Sequence, residues 1–269
     1  MNIKDNLIRI NEKIVDAAQR CHRKPEDIQL VAVSKKQPIE KIWHAFQAGA
    51  KTFGENYIQE ARDKIEEIYK IAQEQNTPTP SWHFIGHLQR NKAKYAVRYF
   101  DMIHSVDSLA LMEELHRYAE KRDKCQKILI QVSTGEKQKS GMTSDKILSL
   151  VQNGMKLSHI SICGLMVMPP YAQDPEASRP YFQNLSQMLS QIKMTISDRP
   201  DHPLNQLSMG MTGDFQVAIQ EGATFVRVGT AIFGKRENTK NALFSKNTNH
   251  YISEKIANKN MEFSRYNSA

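Results

Sequence analysis

Cysteine is scarce in this chain. Its three cysteines, Cys21, Cys125 and Cys163, stand far apart in sequence. An odd number with no CxxC pair argues against a disulfide framework and a paired-cysteine metal site, and fits a reducing cytoplasm. Long apolar runs are missing too, so no stretch has the length that crosses a bilayer. The start, MNIKDNLIRINEKIVDAA, carries charges throughout and lacks the apolar centre of an export signal. No GxGxxG follows the first apolar strand, which leaves dinucleotide binding without support. There is no linker between domains and no repeat beyond a strand–helix period. The 269 residues therefore suit one large α/β unit.

What is present is ordinary for a globular protein with a sizeable core: 40% hydrophobic and 25% charged residues. The formal charge is +8. Half of that excess lies beyond Gly234, where seven lysines and arginines face three glutamates. Excess positive charge admits a nucleic acid or a small anionic ligand as partner. Residues 237–269 read as a basic, Asn- and Lys-rich tail with little periodicity.

Ile3, Leu7, Ile10, Ile14 and Ala18 recur at helical spacing, and Pro25 follows to end that first helix. Eight apolar runs of strand length come next: 28–33, 51–54, 82–86, 101–106, 127–133, 160–168, 204–209 and 224–229. Helical periodicity fills the gaps, as at 39–49, 109–122, 144–154 and 180–193. Gly49, Gly154 and Gly222 stand where left-handed helix caps are expected. Strand–helix alternation implies a parallel sheet. Eight nearly continuous apolar strands favour a single (β/α)₈ TIM barrel over an open doubly wound sheet. The predicted barrel spans residues 1–236, including the extra N-terminal helix.

In such a barrel, chemistry collects where strands end. Lys35 lies just past the first strand, a place for a Schiff-base nucleophile or for a plain solvated charge. Ser208, Gly210, Gly229 and Thr230 follow or close the seventh and eighth strands. They supply the small residues, backbone N–H groups and hydroxyls that cradle phosphate. Arg227 interrupts the apolar run TFVRVG, so it needs a partner, either a structural ion pair or a cofactor ring nitrogen. His83 and His104 lack companions at metal-ligand spacing and read as hydrogen-bonded core histidines. The basic stretch 87–98 reads as a solvated outer face rather than a nucleic-acid site. Met166, Met168, Met209 and Met211 read as core or pocket lining.

Several motifs then stand in one order: VAVSK (31–35), FGENYIQE (53–60), WHFIGHLQRNK (82–92), KSGM (139–142), GLM (164–166), LSMGMTGD (207–214) and VRVGTAIFG (226–234). Over residues 28–236 the chain resembles the pyridoxal 5′-phosphate (PLP) homeostasis protein family, which is similar to the N-terminal barrel of alanine racemase. The resemblance implies PLP held as a Schiff base on Lys35. It puts phosphate contacts at Ser208, Gly229, Thr230 and the backbone near Gly210 and Met211. It sets Arg227 by the pyridine nitrogen and Asn56 beside the cofactor, and it gives Lys139 a part in PLP handling. The chain departs from the family in its long extension after Arg236.

An arginine keeps its proton at ordinary pH, so beside the pyridine nitrogen it leaves the ring a weak electron sink. Racemases of this type take their second, tyrosine base from another domain, and residues 237–269 are too few for one. Tyr57 is the nearest substitute. The expectation is therefore a monomeric cytoplasmic PLP carrier or regulator without robust turnover, with PLP-dependent apo-enzymes as candidate recipients. Neither nucleic acid nor membrane is an expected partner. The alternatives are a PLP-dependent amino-acid racemase or lyase, and an RNA- or partner-binding barrel.

Overall fold

The computed structural model describes residues 2–135, 141–196 and 199–234. Helix α1 (Ile3–Arg20) opens on Asn2, whose side-chain oxygen accepts from the Lys4 amide at 3.0 Å. Of the residues the spacing predicted, Leu7, Ile10, Ile14 and Ala18 are buried and Ile3 is half-buried, and Ala17 joins them. Pro25 does not end it. The helix stops earlier, with His22 left-handed (φ +57) and the Arg23 amide bonded back to Ala18 O at 2.9 Å.

Strands and helices then alternate: β1 (Gln29–Val33), α2 (Ile39–Gln47), β2 (Thr52–Glu55), α3 (Ile58–Glu74), β3 (Ser81–Phe84), α4 (Ala93–Tyr99) and β4 (Met102–Val106). They continue with α5 (Leu109–Glu120), β5 (Gln126–Val132), α6 (Ser144–Gly154), β6 (Ile160–Val167), α7 (Arg179–Thr195) and β7 (Gln206–Met211). The described chain closes with α8 (Phe215–Gln220), β8 (Phe225–Val228) and α9 (Thr230–Phe233). Each strand pairs in parallel with the next, and β8 pairs with β1 through Val31↔Arg227, so the sheet closes into an eight-stranded barrel. All strand C-termini therefore open on one mouth. Helix α1 packs on α2, α8 and α9, and the buried Asn6 amide donates to Ile232 O at 2.8 Å.

Most of the core lies between the sheet and the helices. A smaller cluster of Val31, Met102, Leu129, Cys163, Met166 and Phe225 fills the barrel axis. Gly49 (φ +103) and Gly222 (φ +101) cap helices in the left-handed region. Gly154 does not. It is the last residue of α6, and a Cβ there would stand 2.4 Å from Met112 Sδ, so it lets α6 lie close to α5.

Strand β7 reaches Met211, two residues past the run expected from sequence. Ser208 pairs with Phe225 and Met211 with Arg227, three steps against two, which is a β-bulge. Gly210 (φ +85) allows it, and a Cβ there would strike Ala218 at 2.6 Å. Ser208 lies in the strand before the bulge, within the predicted run 204–209.

Candidate functional site

The turn after β1 is strapped from outside. Ser34 Oγ donates to Glu55 Oε1 at 2.7 Å, on the helix side of the sheet. The Lys64 ammonium of α3 donates to Ser34 O (2.7 Å), Glu55 Oε1 (2.8 Å) and Glu60 Oε1 (2.6 Å). Lys36 is left-handed (φ +59), and its amide donates to Glu60 Oε1. Glu55 and Lys64 are buried. Burial pushes the Glu55 carboxyl up, and the Lys64 ammonium pulls it back only in part. Lys35 is held between these anchors and is half-buried. Val31 faces the axis and Ser34 faces α3, so strand alternation turns Lys35 toward the mouth.

Asn56 follows β2, and its Oδ1 is buried without a hydrogen-bond partner. Thr134 Oγ1, after β5, is in the same state. Gly86 presses on the Asn56 backbone: a Cβ there would stand 2.3 Å from Asn56 O. Tyr57 is 52% exposed and leads into α3.

The exits of β7 and β8 lie side by side. Asp214 folds the first, with Oδ1 accepting from the Met211 amide (2.6 Å) and Oδ2 from Ser178 Oγ (2.8 Å). The Met211 amide is thereby used, and Gly210 faces α8. Thr212 and Thr230 are exposed at the mouth, with their hydroxyls 3.3 Å apart. A Cβ on Gly229 would come within 3.2 Å of Val33 O, so this glycine draws the β8 exit against the end of β1, where Lys35 emerges. The first amides of α9 have no acceptor within their own helix. Lys35, Gly229, Thr230 and Thr212 thus share one rim.

Ser208 and Arg227 lie deeper. Arg227 Nη1 donates to Ser208 Oγ (2.5 Å) and Nη2 to Val167 O (2.9 Å). Burial pushes the guanidinium down to about 10, so it stays charged at neutral pH. His104 Nδ1 is 2.8 Å from Ser208 Oγ, and its Nε2 is 3.0 Å from His83 Nδ1. Hydrogen-bonded core histidines are what the sequence predicted. Burial lowers both, His83 to about 4. Among the described residues no histidine, cysteine or carboxylate group forms a metal cluster, and no helix is long and apolar enough to cross a membrane.

Sequence reasoning missed Thr212 and the Glu55–Lys64–Glu60 strap. Thr212 adjoins the predicted cradle and was legible as a hydroxyl before Gly213. Glu60 and Lys64 show only an i, i+4 pair, common on any solvated helix. The cations of 87–98 are exposed, over a 3₁₀ turn (Arg90–Lys92) and α4. Lys139 and the predicted tail lie outside the described residues.

The barrel and its rim define a class, and the family described as alanine racemase, N-terminal domain, matches residues 6–237. The pyridoxal phosphate homeostasis protein of Vibrio alginolyticus is 37% identical over 237 residues, covering 88% of this chain and 98% of that one. The protein of the same name from Escherichia coli K12 is 36% identical over 240 residues, 89% of this chain and 99% of that one. PipY of Synechococcus elongatus, solved with PLP bound, superposes with a TM-score of 0.73 at 34% identity, over 86% of this chain and 100% of that one. An alanine racemase of Clostridium difficile shares the fold at 15% identity (TM-score 0.63), over 91% of this chain and 59% of that one. The chain belongs to the pyridoxal phosphate homeostasis protein family, within the alanine racemase N-terminal domain fold.

Proposed function

We propose that this protein binds PLP as a Schiff base on Lys35 and serves PLP homeostasis in the reducing cytoplasm, buffering the cofactor and delivering it to PLP-dependent apo-enzymes. The observation that carries the reading is the rim itself: a strapped lysine beside Gly229 and two threonine hydroxyls, above a buried arginine. Its polar groups suit PLP. Asn56 Oδ1 and Thr134 Oγ1 are buried acceptors without partners, as expected where a polar ligand completes the site. Bound PLP would supply an aldehyde, and Lys35 would hold it there through its ε-amine, water being the leaving group.

Thr212, Gly229 and Thr230 would hold the phosphate. Gly210 and Met211 shape that loop instead, since the Met211 amide serves Asp214. Arg227 would face the pyridine nitrogen, and Ser208 would support it from below. A charged arginine there keeps the ring a weak electron sink, which favours holding over turnover. A racemase would need a second base, and Tyr57 is half exposed at the rim. In this role the protein acts as a monomer.

Adding PLP to purified protein should produce the visible Schiff-base band. Borohydride reduction should then fix PLP to the peptide carrying Lys35, and Lys35→Ala should abolish both signals. No band, or attachment at another lysine, overturns the reading. Robust turnover of any amino acid in a panel, lost in Lys35→Ala, would replace the carrier with a racemase or lyase.

A further inference from the structure

A file of four buried polar side chains crosses the barrel interior from β8 to β3. Arg227, Ser208, His104 and His83 are each at most 4% exposed. Their links measure 2.5, 2.8 and 3.0 Å. Nothing in the proposed cofactor contact requires two histidines at its base.

The hydrogens can be placed by elimination. A guanidinium only donates, so Ser208 Oγ accepts from Arg227 Nη1. The single Ser208 hydrogen then has one acceptor, His104 Nδ1. His104 must carry its proton on Nε2 and donate it to His83 Nδ1, which leaves the His83 proton on its own Nε2. In the reverse arrangement the buried Ser208 hydrogen has no acceptor, a costly state. The forward chain requires both rings to be neutral. Phe225 packs against both rings, with centroids 5.4 and 5.2 Å away, and fixes their planes. His83 feels Asp101 and Lys127, and His104 feels His83 and Arg227, but desolvation outweighs these charges in both.

We propose that His104 and His83 are positioning residues for Arg227: relayed through Ser208, they hold its guanidinium in one place and one hydrogen-bonding state, and so set the field it presents to a cofactor ring. This rests on the reading that Arg227 faces PLP. Arg227 is the only charged member of the file. If either histidine became protonated, a second buried cation would form and the donor–acceptor order would break at Ser208.

The test uses the full chain in two arms. In the first, without PLP, ¹⁵N-histidine spectra should show His104 and His83 as neutral Nε2–H tautomers from about pH 8 down to about pH 5. ¹⁵N-arginine spectra should show restrained Arg227 Nη groups that become mobile in Ser208→Ala. An Nδ1–H tautomer at His104, titration of either ring near the ordinary histidine value, or unchanged Arg227 signals in Ser208→Ala overturns the proposal.

In the second arm, with PLP added, Ser208→Ala and His104→Leu should weaken binding about tenfold and shift the pH profile of the visible band. His104→Gln, which can accept from Ser208 and donate to His83, should restore both. If His104→Leu fails to fold, Ser208→Ala decides. An unchanged pH profile in Ser208→Ala refutes the positioning role. If the wild type forms no band, the PLP reading fails, and the ligand-free arm still decides whether the file fixes Arg227.

Discussion

Replacing Lys64 with methionine should uncouple the strap behind Lys35. The Lys64 side chain is 8% exposed and that of Glu55 0%. Methionine roughly keeps the stem volume but removes the ammonium from Ser34 O, Glu55 and Glu60 at once. Breaking a buried pair from one side costs about 3–5 kcal/mol, because a charge is left uncompensated. For a domain of this size that lowers Tm by about 6–20 °C.

The loss should depend on pH in a defined direction. Burial already raises Glu55 above its ordinary 4.5, and Lys64 supplies the largest lowering influence. Without Lys64 the folded-state value rises further. A carboxyl raised in the folded state contributes stability below its unfolded value and loses it as pH rises through the folded value. Lys64→Met should therefore be most destabilising near neutral and alkaline pH, and should recover as the native state takes up a proton. Urea unfolding at about pH 8 and about pH 5 tests this without added salt screening. Glu55→Gln in the same chain should return most of the loss, a coupling visible in a double-mutant cycle. A cost under about 1 kcal/mol at the higher pH, or one that does not change with pH, would falsify the view of Lys64 as the compensating charge.

Thr230→Val and Thr212→Val should each weaken PLP binding about tenfold or more, since each removes a hydrogen bond to a charged group, while pyridoxal without its phosphate should bind both variants as it binds wild type; equal losses for the two ligands would move the phosphate elsewhere. Gly86→Ala should cost about 1–3 kcal/mol in urea unfolding and weaken PLP capture, because its Cβ would meet Asn56 backbone rather than a yielding side chain. A fully stable variant would show that the β3 exit gives way easily. Under native conditions iodoacetamide should label Cys125, which is exposed, and spare the buried Cys163 until the chain unfolds; burial raises both thiols, so labelling should quicken with rising pH.

Much of the fold was legible because each strand reads locally. Val31, Ala32, Trp82, Phe84, Val226 and Val228 are buried, and strands covered on both faces read as nearly continuous apolar runs, which a single His83 or Arg227 does not hide. Closure followed from the count of eight. The glycines at 49 and 222 announced caps, whereas Gly154 carries the same residue type for close packing, a difference that only the neighbouring Met112 reveals. The candidate rim was legible at Lys35, Gly229 and Thr230, since small and polar residues after apolar strands are conspicuous. Nothing in the sequence marked the depth of Ser208, which is fully buried and bonded to Arg227 and His104. The β7 bulge that follows it leaves no trace in polarity beyond a glycine.

The amino-acid sequence alone therefore determined the barrel, its mouth and the lysine at its first strand end. Those depend on the order of apolar and polar residues along short segments, which is local information. Tertiary structure decided which polar groups meet. Lys64 reaches Ser34 across thirty positions, and Ser208 meets His104 across more than a hundred. Such pairs form only when the closed sheet brings distant strands to one axis. Lys35 is thus a sequence-level feature, and the strap that holds it and the buried file under Arg227 are properties of the folded chain.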